Sequence, residues 1–172
     1  MTGKKFLNAL ANGQDDIIKE LLDLLSELNI DYCVIGGLAV NAYAEPVVSM
    51  DLDLVLTLTD TEKLIKACTP KFKVEKFPHS INLTHPKSDL RIQIQTDQRY
   101  QSFIVNAVKK QVIGYELKVA KLEDVLQGKL WAYQDEERRK SKRQKDLADI
   151  MRLVETHQYL YDLLPQEIKV LF

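Results

Sequence analysis

The chain is poor in cysteine, with two in 172 residues; Cys33 falls in an apolar run and Cys68 near the end of an expected helix. That usage excludes a disulfide-stapled scaffold and predicts two free thiols in a reducing compartment. No stretch approaches the ~20 consecutive apolar residues of a membrane span, so no membrane-embedded segment is expected. The opening Met1-Thr2-Gly3-Lys4-Lys5-Phe6 carries no apolar run of the secretory kind, and a cytoplasmic protein is expected. Neither charge sign dominates: the net is −1, which excludes a general polyanion binder and leaves any nucleic-acid contact to a local patch. Internal repeats, low-complexity tracts and Gly/Ser linkers are missing too. His79, His85 and His157, taken with the two cysteines, have neither zinc-ligand spacing nor the order of a hydrolase triad.

Apolar content of 45% and charged content of 28% are ordinary for a globular protein, and the length suffices for a substantial core. The most informative feature lies between residues 32 and 58. Tyr32-Cys33-Val34-Ile35 reads as a short buried strand ended by Gly36-Gly37, and Leu38 to Tyr43 has the composition of a short helix. A glycine pair at a strand-to-helix turn lets the backbone approach a ligand and turns its N–H groups toward an anion. Asp51 to Leu58 then alternates with period two: Asp51, Asp53, Val55 and Thr57 share one face, and Leu52, Leu54, Leu56 and Leu58 the other. Four leucines predict a core face, so both carboxylates project from the opposite face. Hard oxygen ligands there suit Mg²⁺ bound to nucleotide phosphates.

The remaining pattern predicts an α+β half followed by a helical third. A helix capped by Asp15 or Asp16 runs to about Asn29 with Ile17, Leu21, Leu24, Leu25 and Leu28 in one stripe. Asp60 opens a short helix that ends near Pro70. Three extended segments follow, over 72–76, 80–84 and 90–96. A helix is expected over Arg99–Lys110, and a small hairpin or bulged strand over 112–119. Helices are expected over 122–133 and about 137–156, with a last turn opened by Pro165. The division expected is an α+β core over 1–120 with a helical region, 121–172, packed on it as one domain.

Gly36-Gly37 with Asp51-Leu52-Asp53 resembles the opening motif of the DNA polymerase beta nucleotidyltransferase superfamily. Within it the chain looks like the small prokaryotic branch of AbiEii-type toxins and minimal nucleotidyltransferases. Lys129-Leu130-Trp131-Ala132, Arg139 and Lys145-Asp146-Leu147-Ala148-Asp149 are similar to that branch's helical lysine followed by a Lys-Asp-x-x-Asp helix, with a longer, charge-filled gap. The resemblance implies a nucleotidyltransferase fold: a mixed β-sheet with flanking helices. It also implies Mg²⁺-dependent transfer of a nucleoside monophosphate from an NTP to a hydroxyl on an RNA 3′ end or a protein, with an antitoxin-type protein as a further partner. Asp51 and Asp53 would be catalytic and hold the metal; Gly36, Gly37, Ser49 and Lys129 would bind the nucleotide.

Two-metal phosphoryl transfer normally needs a third acid from a neighbouring strand. On Asp89-Leu90-Arg91-Ile92-Gln93-Ile94-Gln95-Thr96-Asp97 the mid-strand positions of the correct parity are Gln93 and Gln95, neutral amides. Asp97, preferred over Asp89, is the expected stand-in as the third catalytic acid. A second reading follows from the same two glutamines: a nucleotide- or RNA-binding module of this fold without the reaction. Lys129 reads either as a triphosphate donor or as a core-edge lysine that snorkels, and Trp131 reads as core. The six basic residues Arg138, Arg139, Lys140, Lys142, Arg143 and Lys145 read either as a phosphate or RNA grip or as a solvated face laced with i,i+4 pairs such as Asp135–Arg139 and Glu136–Lys140.

Overall fold

The alternating run forms a strand, β2 (Asp51–Val55), whose Leu52 and Leu54 are completely buried while Asp51 and Asp53 remain partly open. The computed structural model describes residues 2–13 and 15–172. Six more strands complete one mixed sheet: β1 (Cys33–Ile35), β3 (Lys73–Phe77), β4 (Ser80–His85), β5 (Ser88–Gln95), β6 (Val108–Val112) and β7 (Tyr115–Val119), in the order β3-β4-β5-β2-β1-β7-β6. β1 runs antiparallel to β2 and parallel to β7, while β5 runs parallel to β2. Among the described residues seven α-helices accompany the sheet: α1 (Gly3–Leu10), α2 (Ile17–Glu27), α3 (Gly36–Val40), α4 (Leu58–Cys68), α5 (Leu122–Gln134), α6 (Lys140–Thr156) and α7 (Gln166–Lys169). The expected α+β architecture, with helices flanking a mixed sheet and a helical C-terminal third, is what the chain forms.

Local chemistry explains most boundaries. The Asp16 side chain accepts from Lys19 N at 3.1 Å and starts α2, whose Ile17, Ile18, Leu21 and Leu25 are buried. Leu52, Leu54, Ile92, Ile94 and Leu83 form part of the core, and burying each such side chain contributes roughly 1.5–3 kcal/mol. Cys33 and Cys68 are free and buried, as their positions implied; burial pushes the thiols up, to about 12 and about 11 respectively, so neither is a ready nucleophile.

Two expectations are corrected, and one helix is added. The strand expected through Leu58 ends at Val55, and Leu58 is 60% exposed as the first residue of α4. The cause is Thr57, whose hydroxyl accepts from Asp60 N at 3.1 Å and turns the chain into a helix one position before Leu58 could join the core face. The helix expected over Arg99–Lys110 is instead a 3₁₀ turn, Gln98–Phe103, followed by β6. Ile113 and Gly114 both take positive φ, 51° and 84°, the conformation a two-residue hairpin demands; this pairs Val112 with Tyr115 and draws 108–112 into the sheet edge. α1, which the sequence pattern did not reveal, is started by Thr2, whose hydroxyl accepts from Lys5 N at 3.4 Å.

Candidate active site

The β1–β2 pairing sets Ile35 opposite Asp53, so the glycine pair that follows β1 lies against the second aspartate. Gly36 has φ +70°, and a Cβ there would fall 2.1 Å from Asp53 Oδ2. The carboxylate therefore occupies the space a side chain would need, and the backbone adopts a conformation that favours glycine. A Cβ on Gly37 would meet Ser49 Oγ at 3.2 Å. Ser49 is buried; its hydroxyl donates to Asp51 O at 3.3 Å and accepts from Asp51 N at 3.4 Å, which fixes the entry into β2. Gly36, Gly37, Ser49, Asp51 and Asp53 are thus brought together. Two cavities open beside them. One, of about 100 Å³, is lined by Gly36, Asp53, Gln93, Asp124, Lys129 and Arg138 among others. The second, of about 190 Å³, is lined by Asp51, Asp53, Asn82, Arg91, Gln93, Arg138 and Lys142.

Register decides the third acidic position. Because β5 runs parallel to β2 with Asp51 opposite Arg91 and Asp53 opposite Gln93, the residue beside the second aspartate is a neutral amide. Asp97 is not brought to the pair: it lies beyond the end of β5, four residues past Gln93 (~13 Å along a strand). There it caps the 3₁₀ turn through Arg99 N at 2.9 Å and pairs with the Arg99 guanidinium at 2.7 Å, which holds its carboxyl below the usual range. Asp89, the other candidate, accepts from Asn12 at 2.7 Å. Among the described residues no group of three or more His, Cys, Asp or Glu side chains is placed to hold a metal.

The two aspartates differ in their neighbours. Asp51 pairs with Arg91 Nε at 2.8 Å and has Lys142 Nζ 4.0 Å from its other oxygen. Asp53 has no ion-pair partner among the described residues. Its carboxyl is pushed up to about 6, mainly by burial and then by the Asp51 charge, against the weaker pull of Lys129, Arg138 and Lys142. This makes the ionised Asp53 a destabilising element. Its folded pKa lies above the unfolded value, so the penalty is absent below about pH 4 and complete above about pH 6. In metal-free buffer the Asp53→Asn variant should therefore be more stable than the parent at pH 7.5, by roughly 2–3 kcal/mol, because each tenfold change in an ionisation constant is worth ~1.36 kcal/mol. Urea unfolding at the two pH values checks this: the difference should vanish at pH 4, and a difference that persists there would assign the effect to packing.

Lys129 lines the first cavity, yet its ammonium is committed elsewhere. It is 7% exposed and reaches Asp146 at 3.0 Å and Asp149 at 2.7 Å. Arg138 takes the other Asp146 oxygen at 2.6 Å, and Arg152 the other Asp149 oxygen at 2.7 Å. Burial alone would lower the Lys129 pKa, and the two carboxylates more than reverse that, so it stays charged. The lysine and the Lys-Asp-x-x-Asp stretch thus form a buried ionic joint between α5 and α6, and Lys129 serves as its centre. Trp131 packs with Tyr100 and Phe103 at 5.1 and 5.7 Å between centroids, with Arg99 over its ring.

The basic run divides. Arg138 and Lys142 reach the cavity; Arg143 donates to the Tyr133 carbonyl at 2.6 Å; Arg139, Lys140 and Lys145 are exposed. The pairs Asp135–Arg139 and Glu136–Lys140 do not form, since residues 135–139 make the turn before α6. Arg138 and Lys142 belong to the basic run that the sequence offered as a phosphate grip, whereas Arg91 and Asn82 are site residues that sequence reasoning did not single out. Parity had already put Arg91 on the correct face, but its partner depends on register.

No protein-family model and no curated protein matches the chain. Solved structures match it by shape. The lincosamide antibiotic adenylyltransferase LnuA, lincomycin-bound, superposes with a TM-score of 0.57 at 13% identity, over 82% of this chain and 98% of that one. ANT(2")-Ia in complex with adenylyl-2"-tobramycin gives 0.60 at 16%, over 90% and 92%. This is the nucleotidyltransferase fold. An antigenic nucleotidyltransferase-like protein from Paracoccidioides brasiliensis shares it, at TM-score 0.55 and 21% identity over 95% of this chain and 84% of that one. In this nucleotidyltransferase fold the glycine turn and the aspartate pair face the cavities beside α5 and α6.

Proposed function

We propose that the chain is a nucleotidyltransferase that moves a nucleoside monophosphate from an NTP to a hydroxyl acceptor and releases pyrophosphate. The observation that carries this reading is the contact at Gly36: a turn able to present backbone N–H groups to an anion lies against a carboxylate that has no ion-pair partner among the described residues. The donor set suits Mg²⁺. Asp51 and Asp53 supply two hard oxygens from one face, Asp53 is short of compensating charge, and Asn82 Oδ1 at the same cavity is a buried acceptor without a donor. Asp51 and Asp53 would hold the ion, which when bound supplies charge neutralisation on phosphate oxygens. Gly36, Gly37 and Ser49 would orient the triphosphate, with Arg138 and Lys142 adding positive charge at the cavity wall. The adenylyl chemistry named for LnuA and for the ANT(2")-Ia complex supports the same reaction class. The acceptor proposed is an RNA 3′ end or a protein hydroxyl, as for a toxin of a toxin–antitoxin pair.

Gln93 favours a second reading, a nucleotide-binding module without transfer, since an amide can neither take a proton nor replace an anionic ligand. One experiment separates them. Each of the four NTPs, labelled at the α-phosphate, is incubated with the protein, Mg²⁺, total RNA and a mixed protein acceptor. The transferase reading expects label transfer matched by pyrophosphate release, falling to background in Asp51→Ala/Asp53→Ala. Mg²⁺-dependent NTP binding without transfer would establish the module, and no binding at all would remove both.

A further inference from the structure

We infer that Arg91 stands where a second metal ion would otherwise sit, so that the nucleotide-bound site holds one divalent cation and not two. The inference rests on the reaction proposed above and concerns how its charge is handled. In a two-metal centre both ions, ~3.5–4 Å apart, share carboxylates, and a third acid completes the ligand set. Here the in-register neighbour of Asp53 is Gln93, and the in-register neighbour of Asp51 is Arg91. The Arg91 guanidinium holds Asp51 Oδ1 at 2.8 Å, and Lys142 Nζ is 4.0 Å from Oδ2. Asp51 Oδ1 therefore faces the Arg91 guanidinium at close range and Oδ2 the more distant Lys142, whereas Asp53 has no ion-pair partner among the described residues.

A divalent ion can settle between Asp53 and the Lys142 side of Asp51 by displacing only a loose contact. A second ion on Oδ1 would have to displace the guanidinium that stands 2.8 Å away and then sit close to its positive charge, with no third carboxylate to offset the repulsion. Arg138 adds positive charge nearby, but its ion pair is with Asp146, at 2.6 Å, and not with Asp51 or Asp53. Arg91 lies on the sheet's polar face, with 57% of its side chain exposed. Its side chain lies outside the buried core, and its ion pair is with Asp51. Arg91 is a positioning residue: it fixes the Asp51 carboxylate and supplies one positive charge that no chelator removes.

The test counts ions. Mn²⁺ bound per chain is measured by electron paramagnetic resonance with saturating α,β-methylene NTPs of the four bases, for the parent, Gln93→Asp and Arg91→Met/Gln93→Asp, each checked for folding by its thermal melt. One ion is expected in the parent and in Gln93→Asp, where Arg91 remains, and two in the double variant, with spin-coupled Mn²⁺ signals. Two ions in the parent would overturn the inference and leave the transferase reading standing. One ion in a folded double variant would also overturn it, because Arg91 would then not be what excludes the second. No ion in the parent would overturn the transferase reading itself. Should the double variant fail to fold, the parent and Gln93→Asp counts still decide: one ion in each supports the inference and two in either rejects it.

Discussion

Replacing Lys129 by methionine is expected to destabilise the protein by about 3–5 kcal/mol, the cost of leaving buried charges without their partner. Asp146 and Asp149 are 1% and 4% exposed and each keeps only one other cation, Arg138 and Arg152. Without the ammonium between them, two carboxylates one helical turn apart face each other in a poorly solvated space. The damage should spread beyond the joint. Arg152 also donates to Asn41 Oδ1 at 3.1 Å and to the Glu45 carbonyl, and the Asn41 side chain pairs both ways with Val47, at 2.7 and 3.0 Å. That chain of contacts ends in the loop that carries Ser49 to β2. Urea unfolding gives the stability, and Lys129→Met/Asp146→Asn/Asp149→Asn should recover part of the loss, since the unpaired charges go with the lysine. A loss under about 1 kcal/mol together with a collapse in NTP affinity would return Lys129 to the role of triphosphate donor.

Gly36→Ala is the second large effect, and its contrast with Gly37→Ala is the diagnostic part. Alanine at 36 meets two penalties: a left-handed backbone worth roughly 1–2 kcal/mol for an L residue, and a Cβ 2.1 Å from Asp53 Oδ2 that forces the carboxylate to rotate away. Stability should fall by about that backbone cost or somewhat more. Affinity for Mn²⁺ with a non-hydrolysable NTP should fall by up to ~100-fold, because a misplaced ligand loses most of its ~3 kcal/mol of charge-assisted interaction. At Gly37 φ is not positive, and the neighbour is the Ser49 hydroxyl at 3.2 Å, which can rotate. Gly37→Ala should bind the probe within a few-fold of the parent. Equal losses at both positions would mean that the turn acts through its N–H groups alone and that Asp53 is not held against it.

Period-two alternation in residues 51–56 was legible in the chain itself, because a strand's faces are a local consequence of backbone geometry. The same holds for the amphipathic stripe of α2, for the C-terminal helices, and for the parity that placed Asp51, Asp53, Arg91 and Gln93 on one side. Local rules failed where pairing or capping overrode composition. Thr57 diverted Leu58 out of the strand, and the Ile113-Gly114 turn converted a helix-like segment into β6.

The two central strands, the glycine turn, the aspartate pair and the lysine with its Lys-Asp-x-x-Asp helix are each a pattern within a short window, so residue order alone specifies them. Which of them meet is a matter of long-range packing. The parallel register of β2 and β5 chose Gln93 as the neighbour of Asp53 and Arg91 as that of Asp51. The packing of α5 on α6 set Lys129 between Asp146 and Asp149 at the wall of the cavity. A one-residue slip in that register would exchange every partner while leaving each strand's own pattern unchanged, so the choice depends on pairing that no local window of the chain contains.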